Sequence, residues 1–519
     1  MTTPPVTRRI AQATGIVMAT VLASRLLGFL REWTVAHQIG SNAVTDAYYA
    51  AFTLPDFLNY LVAGGSLSLT FIPVFAQYAA KNREEEGWHV FSTVITIMSA
   101  LLAGLVIVGE VFAAPLSSAI APGFKGEERA QLIFLTRLML PAQFCFYLGS
   151  ILSAVQYAKG QFLIPSLAPV AYNAGIILGG FLLSPRIGIT GFAVGVLAGA
   201  LVGNFLLQVY GARNAQARFK PNLDWRHPGF RLFLKLTIPI MLALSLVFAD
   251  DWIIRWFGSY LVPASITWLS YAKTLMRVPL GVVGQAVGVA SFPFLAQLYS
   301  QGKHQELNRT LTATLKGMLL LLVPISALTI AQSAPLVHFV FLHTRLRGPD
   351  LAATAATLTM FSIGMFAWGA QNILARGFYA AHDTLTPAIA GTALTLLNLP
   401  VYWLLVRRFA HLGLALASSG GVIAYTVVLF VLLNRRTRNP EGARLTVFFI
   451  KLTAASGLAA LACSRLTAWL GVRVGWQTTL HAFVVLVMVS TAGLILTAVL
   501  ARLLGVREID TALIKRAFQ

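Results

Sequence analysis

The chain has 519 residues, 57% hydrophobic and 11% charged, with a formal net charge of +21. Soluble proteins carry about 25% charged residues, so the charge here cannot cover a water-facing surface; a soluble globular enzyme and a disordered chain are both excluded. On a membrane protein an excess of Lys and Arg belongs to cytoplasmic loops, which makes nucleic-acid binding the poorer reading.

Fourteen stretches reach the roughly 20 apolar residues that a membrane helix needs. In chain order they fall at roughly 12–36, 44–64, 88–114, 131–156, 163–183, 188–210, 232–258, 265–297, 309–331, 352–376, 385–405, 411–434, 446–470 and 478–504. Their connections are short, and the longest polar one, Asn214 to Arg231, has room for a brief surface helix and no folded domain. The first stretch lacks a small-residue cleavage site and reads as a retained helix. Cys145 and Cys463 lie in apolar runs and give neither a disulfide framework nor a metal spacing. With the N-terminus inside, about 21 Lys and Arg fall on the cytoplasmic side and about eight outside. The inner set includes Arg8, Arg9, Lys81, Arg83, the Arg213–Arg231 and Arg435–Arg444 loops, and Arg507, Lys515 and Arg516 of the tail. Both termini are therefore expected in the cytoplasm.

An internal repeat runs through these helices. YAKGQFLIPSLA at Tyr157 and YAAHDTLTPAIA at Tyr379 lie 222 residues apart (379 − 157), and PVFAQ at Pro73 and PFLAQ at Pro293 lie 220 apart (293 − 73). Leu54-Pro55 and Val278-Pro279 agree at 224 (278 − 54). The spacing predicts two pseudo-symmetric six-helix lobes, 1–225 and 226–440, followed by two C-terminal helices and a tail in 441–519. Repeat-built bundles of this kind are typical of secondary transporters.

Ionisable groups inside a span cost about 2.5–3.5 kcal/mol each on insertion and default to function. They concentrate in three stretches. The first carries Arg25, Arg31 and Glu32, with Arg25 and Glu32 seven apart on one face and Gly28 three from each arginine. The seventh carries Asp250, Asp251 and Arg255, and the eighth carries Lys273 and Arg277, one turn apart. Arg255 is placed either to snorkel outward or to satisfy Asp251 locally. The acids of the seventh stretch and the bases of the eighth lie at matching depth, as a brace or as pairs that release a base to a ligand. Glu110 reads as interfacial, and Gly64-Gly65 and Gly420-Gly421 read as close-packing points. A central cationic cavity in a membrane suits a diphosphate, which arginine grips in bidentate fashion. A lipid diphosphate would also keep its tail in the bilayer. An organic cation would be repelled, and a sugar or drug has no need of several arginines.

The pieces SRLLGFLRE (Ser24–Glu32), TDAYYAAFTLPDFL (Thr45–Leu58), FIPVFAQY (Phe71–Tyr78), APGF (Ala121–Phe124), IPSLAPVAYN (Ile164–Asn173), YAKTLMRVPLGVVGQAVG (Tyr271–Gly288), GFYAAHDTLTP (Gly377–Pro387) and GLALASS (Gly413–Ser419) follow one another as in a known family. In them the sequence resembles the MurJ (MviN) family of lipid II flippases, of the multidrug/oligosaccharidyl-lipid/polysaccharide exporter superfamily. The resemblance implies fourteen helices in two lobes that open alternately to either face, and export of the lipid-linked disaccharide-peptide precursor of peptidoglycan. It puts the family's two helix-1 arginines on Arg25 and Arg31 and its helix-2 aspartate on Asp46. Asn59 and Tyr60 stand where the family has one or two arginines, Gly64 where it has a glutamate, and Lys273 and Thr274 where it has an Asp-Arg pair.

The substrate-binding set is accordingly Arg25, Arg31, Asp46, Asn59, Lys273 and Arg277, with Glu32, Asp250, Asp251 and Arg255 as an ion or gating set and no catalytic or metal residues. The expected protein is an all-α, multi-pass protein of the bacterial cytoplasmic membrane, a transporter and not an enzyme. Its substrate is lipid II or, for a divergent paralogue, another polyprenyl-diphosphate saccharide. A membrane glycosyltransferase would want acids on a sizeable outer loop, and the largest here, Ser333 to Asp350, has one carboxylate. No cofactor is expected. No P-loop pattern occurs, so the membrane potential, Na+ or H+ are the candidate drives. Membrane lipid and cell-wall synthesis proteins are the other expected partners, and nucleic acid is not.

Overall fold

The computed structural model describes residues 6–60, 66–245, 249–381, 383–506 and 508. Gly64, Gly65, Arg507, Lys515 and Arg516 lie outside the described residues. Among the described residues every regular element is a helix. In chain order these are α1 (Val6–Gln38), α2 (Ala43–Ala51), α3 (Thr53–Leu58), α4 (Ser66–Ala80), α5 (Glu84–Val111), α6 (Ala113–Ile120), α7 (Gly126–Met139), α8 (Ala142–Ala158), α9 (Leu163–Ile187) and α10 (Thr190–Gly199). A π-helical turn, Ala200–Leu206, leads into α11 (Leu207–Asn214). Then come α12 (Pro228–Ser245), α13 (Ala249–Gly258), α14 (Ser265–Ser300), α15 (His304–Ala331), α16 (Ser333–Phe341), α17 (Gly348–Ile363), α18 (Met365–Ala380), α19 (Leu385–Thr437), α20 (Gly442–Arg473) and α21 (Thr479–Leu503). Nine helical lengths among the described residues are long and apolar enough to cross a membrane.

Local chemistry explains where these helices start and break. Asn42 caps α2 by accepting from the Val44 and Thr45 amides at 2.9 and 3.1 Å, while Thr45 Oγ1 accepts from the Asn42 amide at 3.0 Å. The second predicted stretch breaks at Phe52 because Pro55 has no N–H to return to the Ala51 carbonyl. Two predicted stretches share the 53 residues of α19, and Ala410, at φ 48° and ψ −128°, turns the chain between them. The room for a surface helix between α11 and α12 is not used. Residues 217–224 are coil, tied to α5 by Lys220 N–H to Ser92 Oγ (3.0 Å), Asn222 Nδ2 to the His89 carbonyl (3.3 Å) and His89 Nε2 to Asp224 Oδ2 (3.2 Å).

The repeat is visible in the helix register. Helices α5 and α15 are both 28 residues long and start 220 residues apart (304 − 84). The short helices α6 and α16 also start 220 apart (333 − 113), and α9 and α19 start 222 apart (385 − 163). Helices α1 and α13 end 220 apart (258 − 38), which makes α12–α13 the counterpart of α1.

The chain forms two compact units, Met1–Thr267 and Trp268–Gln519. In the first, α1 lies along α9, α9 packs closely on α10, and α12 rests on α4 and α5. In the second, Leu311, Leu315, Met318 and Leu322 of α15 recur at spacings of four, three and four, a seam that faces Ile373, Leu374 and Phe378 of α18 and Leu452 and Ala455 of α20. The exposed leucines 458, 461, 480 and 494 of α20 and α21 would be an aggregation hazard in water. In a bilayer they are ordinary lipid contacts.

Candidate functional site

Helix α1 carries two arginines in different states. Arg31 is held on three sides. Its Nε and Nη2 donate to Glu32 Oε1 at 3.1 and 2.6 Å, and its Nη1 donates to Asn173 Oδ1 of α9 at 3.3 Å. The Tyr49 hydroxyl of α2 donates to the other oxygen of Glu32, which is only 5% exposed. Adjacent residues on a helix do not face each other; the length of both side chains brings Arg31 and Glu32 together beside Tyr49. Asn173 fixes the α1–α9 contact further, reaching the Ser24 carbonyl and hydroxyl, both at 3.4 Å. Gly28 sits over the Asn173 amide, where an added Cβ would lie 4.0 Å away.

Arg25, six residues earlier, is exposed and has no carboxylate within ion-pair distance among the described residues. The shared face of Arg25 and Glu32 therefore does not become a pair: Glu32 is taken by Arg31 and Tyr49. Six residues of helix are about 9 Å, so the two guanidiniums stand roughly two turns apart.

Asp46 is 2% exposed, and its Oδ1 accepts from the amide of Thr267 at 2.7 Å and from its hydroxyl at 2.6 Å. The carboxylate thus meets the free N–H groups in the first turn of α14. Asn59 is half-buried and closes the C-terminal end of α3 through its own amide. Asp250 and Asp251 lie half-buried in the first turn of α13, where negative charge suits the helix dipole. Arg255 reaches α3, with Nη1 donating to Thr53 Oγ1 at 2.8 Å and Nη2 3.7 Å from Asp56 Oδ2.

In the second unit Lys273 of α14 is 6% exposed. Its ammonium lies 5.8 Å from the ring centre of Phe361 and 5.5 Å from that of Trp368, within cation–π range. Arg277, one turn on, is exposed. Nearby, Trp268 Nε1 donates to Asp350 Oδ1 at 3.1 Å, and the Trp268 ring meets His411 at 4.9 Å.

Four participants escaped the sequence reading. Tyr49, Thr53, Asp56 and Asn173 all lie within the quoted pieces TDAYYAAFTLPDFL and IPSLAPVAYN. The rule applied to Asp250, an acid inside an apolar stretch, would have found Asp56. The two polar side chains that orient Glu32 and Arg31 give no such signal.

Comparison with known proteins agrees with this arrangement of helices. A family model described as lipid II flippase MurJ matches residues 35–504. A probable lipid II flippase MurJ of Buchnera aphidicola subsp. Acyrthosiphon pisum is 29% identical over 424 residues, 81% of this chain and 82% of the relative. A lipid II flippase MurJ of Burkholderia cenocepacia is 26% identical over 468 residues, 89% of this chain and 90% of the relative. Among solved structures, a lipid II flippase MurJ in an inward closed conformation superposes with a TM-score of 0.77 at 22% identity, covering 94% of this chain and 98% of that one. An inward-facing multidrug resistance MATE transporter of the MOP superfamily gives 0.64 at 15% identity, covering 82% and 98%. At these identities the two structures speak for the fold alone.

Proposed function

We infer the function from one premise: this chain belongs to the lipid II flippase MurJ family, whose model spans residues 35–504. The protein is a multi-pass bacterial inner-membrane transporter, and it flips lipid II. That match across nearly the whole chain is the observation that carries the reading. The reading of a divergent paralogue with another lipid-linked saccharide is not favoured, because the curated relatives share the lipid II assignment. The finer statements below are our proposals: movement from the inner to the outer leaflet by alternating access, both termini in the cytoplasm, and the diphosphate held by α1.

The exposed Arg25 offers the diphosphate its first contact. Arg31 then exchanges Glu32 for the ligand, a swap of one oxyanion for another at a planar guanidinium. Asn173 and Tyr49 keep the exchanging groups in place through the hydrogen bonds above.

The membrane potential acts in the same direction. One charge crossing 100 mV gains about 2.3 kcal/mol, so a diphosphate leaving an inside-negative cell with two charges gains about 4–5 kcal/mol.

The test is complementation of a strain depleted of its own flippase, with surface-exposed lipid II as the direct readout. Arg25→Ala and Arg31→Ala should each fail at normal membrane levels, and the lysine variants should rescue poorly. Full complementation by both alanine variants would refute the role of α1, and failure of the unaltered protein to expose lipid II would refute the function itself. Collapsing the potential at constant ion gradients should slow flipping; an unchanged rate would exclude this drive.

A further inference from the structure

We propose that the second unit carries a binding site for a phosphate-bearing ligand at its cytoplasmic end, in a pocket of about 500 Å³ closed by the α14–α15, α18–α19 and α19–α20 connections. The site is separate from the groups on α1, and it does not depend on what the protein transports.

Tyr299, His304, Asn308, Arg436 and Arg438 contribute to the wall, and none of the nine described lining residues is acidic. The carboxylate of Asp383 sits behind Arg436. It accepts from Arg436 Nη1 and from the Thr386 amide and hydroxyl at 2.9 and 2.7 Å. Asp383 therefore aims the guanidinium, whose Nε and Nη2 have no acceptor among the described residues. A guanidinium braced on one edge and open on the other is suited to gripping a phosphate.

Arg438 supplies the second cation. It is exposed, its side chain has no acceptor among the described residues, and its backbone is left-handed at φ 48° and ψ 48°. At this position just past a helix glycine is the usual residue, because a Cβ makes the conformation unfavourable. The chain holds an arginine there by two hydrogen bonds that the backbone amides of Arg438 and Asn439 (3.0 Å) donate to the Asn434 carbonyl. Residual strain of this sort points from structure to function.

Asn308 gives an independent indication. The residue is 2% exposed, and its Nδ2 donates to the Thr437 carbonyl at 2.9 Å. Its Oδ1 is buried with no hydrogen-bond partner among the described residues. Buried acceptors are almost always paired, so the pocket wall offers one orphan acceptor beside two donors. A phosphate ester that also carries a hydroxyl or ammonium satisfies all three. An anionic phospholipid headgroup and a soluble phosphate compound share this chemistry; pockets of basic residues at the cytoplasmic ends of membrane helices are where such headgroups bind.

The experiment uses the full chain purified in neutral detergent. One arm adds inorganic pyrophosphate, and the other adds phosphatidylglycerol or phosphatidylcholine in mixed micelles. Bound lipid is counted by native mass spectrometry, and both arms are followed by thermal unfolding. Arg438→Gly is the informative variant, since it removes the guanidinium while relieving the backbone. It should unfold no lower than the native protein without ligand, and it should lose about tenfold in affinity. Arg436→Gln should lose at least as much. Arg345→Gln, an exposed arginine at the other end of the unit, should bind normally. A loss confined to pyrophosphate identifies a soluble ligand, and one confined to phosphatidylglycerol identifies a lipid headgroup; either supports the site. Native binding by both pocket variants overturns it, as does an equal loss in Arg345→Gln.

Discussion

Arg255 of α13 donates to Thr53 of α3 at 2.8 Å, joining residues 202 apart in the sequence (255 − 53). The ion pair with Asp56 is longer, 3.7 Å, and the Asp56 side chain is 45% exposed. A hydrogen bond from a charged donor contributes about 1.5–3 kcal/mol, whereas an open ion pair contributes about 0–1 kcal/mol. Thr53→Val should therefore lower the thermal midpoint of the purified protein more than Asp56→Asn does. The reverse order would assign the contact to charge rather than to the hydroxyl.

The two oxygens of Glu32 are divided between Arg31 and Tyr49. Tyr49→Phe leaves one of them without a partner, at a cost of about 1–3 kcal/mol. Glu32→Gln keeps the shape and removes the charge that restrains Arg31. If Arg31 must exchange Glu32 for the ligand, Glu32→Gln should change the rate of lipid II exposure per folded molecule, while Tyr49→Phe should mainly lower the thermal midpoint. A Glu32→Gln protein that exposes lipid II at the native rate would remove this exchange from the cycle.

Asp383, in the connection before α19, lies outside the membrane-spanning segments. Burial raises its pKa, but the amide and hydroxyl of Thr386 and the Arg436 guanidinium outweigh this and leave it below the usual carboxylate value. A depressed carboxylate stabilises the folded protein above its unfolded pKa of about 3.9, and that stability is lost as pH falls through the folded value. Asp383→Asn should then unfold at a lower temperature than the native protein at pH 7. The gap should narrow only below about pH 4. A gap that closes between pH 5 and 7 would mean that another group is responsible.

The helices were legible because each needs only a run of apolar residues, and the repeat because Pro55, Pro73 and Tyr157 have counterparts at a nearly constant offset. The break at Phe52 followed from Pro55 and was available to the sequence. The partners of the buried charges were not. Spacing on one helix pairs Arg25 with Glu32, but the packing of α1 against α2 and α9 gives Glu32 to Arg31 and Tyr49. Asp46 reads from its motif as a substrate ligand, and its contact with Thr267 depends on where α14 begins. Side-chain partners on other helices are set by interhelical contact, and residues 149 apart, such as Ser24 and Asn173, leave no periodic trace.

The position of Asn173 depends on glycines that do nothing chemical. An ideal Cβ on Gly175 would lie 2.4 Å from the Cα of Gly199, and one on Gly199 would lie 2.6 Å from the Tyr172 carbonyl oxygen. Gly195 would meet the Gly175 carbonyl oxygen at 2.7 Å. Helices α9 and α10 are thus in backbone contact along a seam of small residues, the close approach that glycine permits between membrane helices. Carbon atoms settle at about 3.5–4.0 Å, so a methyl at position 199 must push the helices apart by on the order of 1 Å. Asn173 is two residues from Gly175, and its bond to Arg31 is already 3.3 Å long. A contact beyond about 3.6 Å is no longer a hydrogen bond. Gly199→Ala should therefore reduce flipping as well as stability, although residue 199 touches no charged group of the site. Gly457→Ala, on α20 with nothing within 4 Å of its added Cβ, is the control and should behave as native. If Gly199→Ala loses stability but exposes lipid II at the native rate per folded molecule, the seam holds the fold without positioning Arg31.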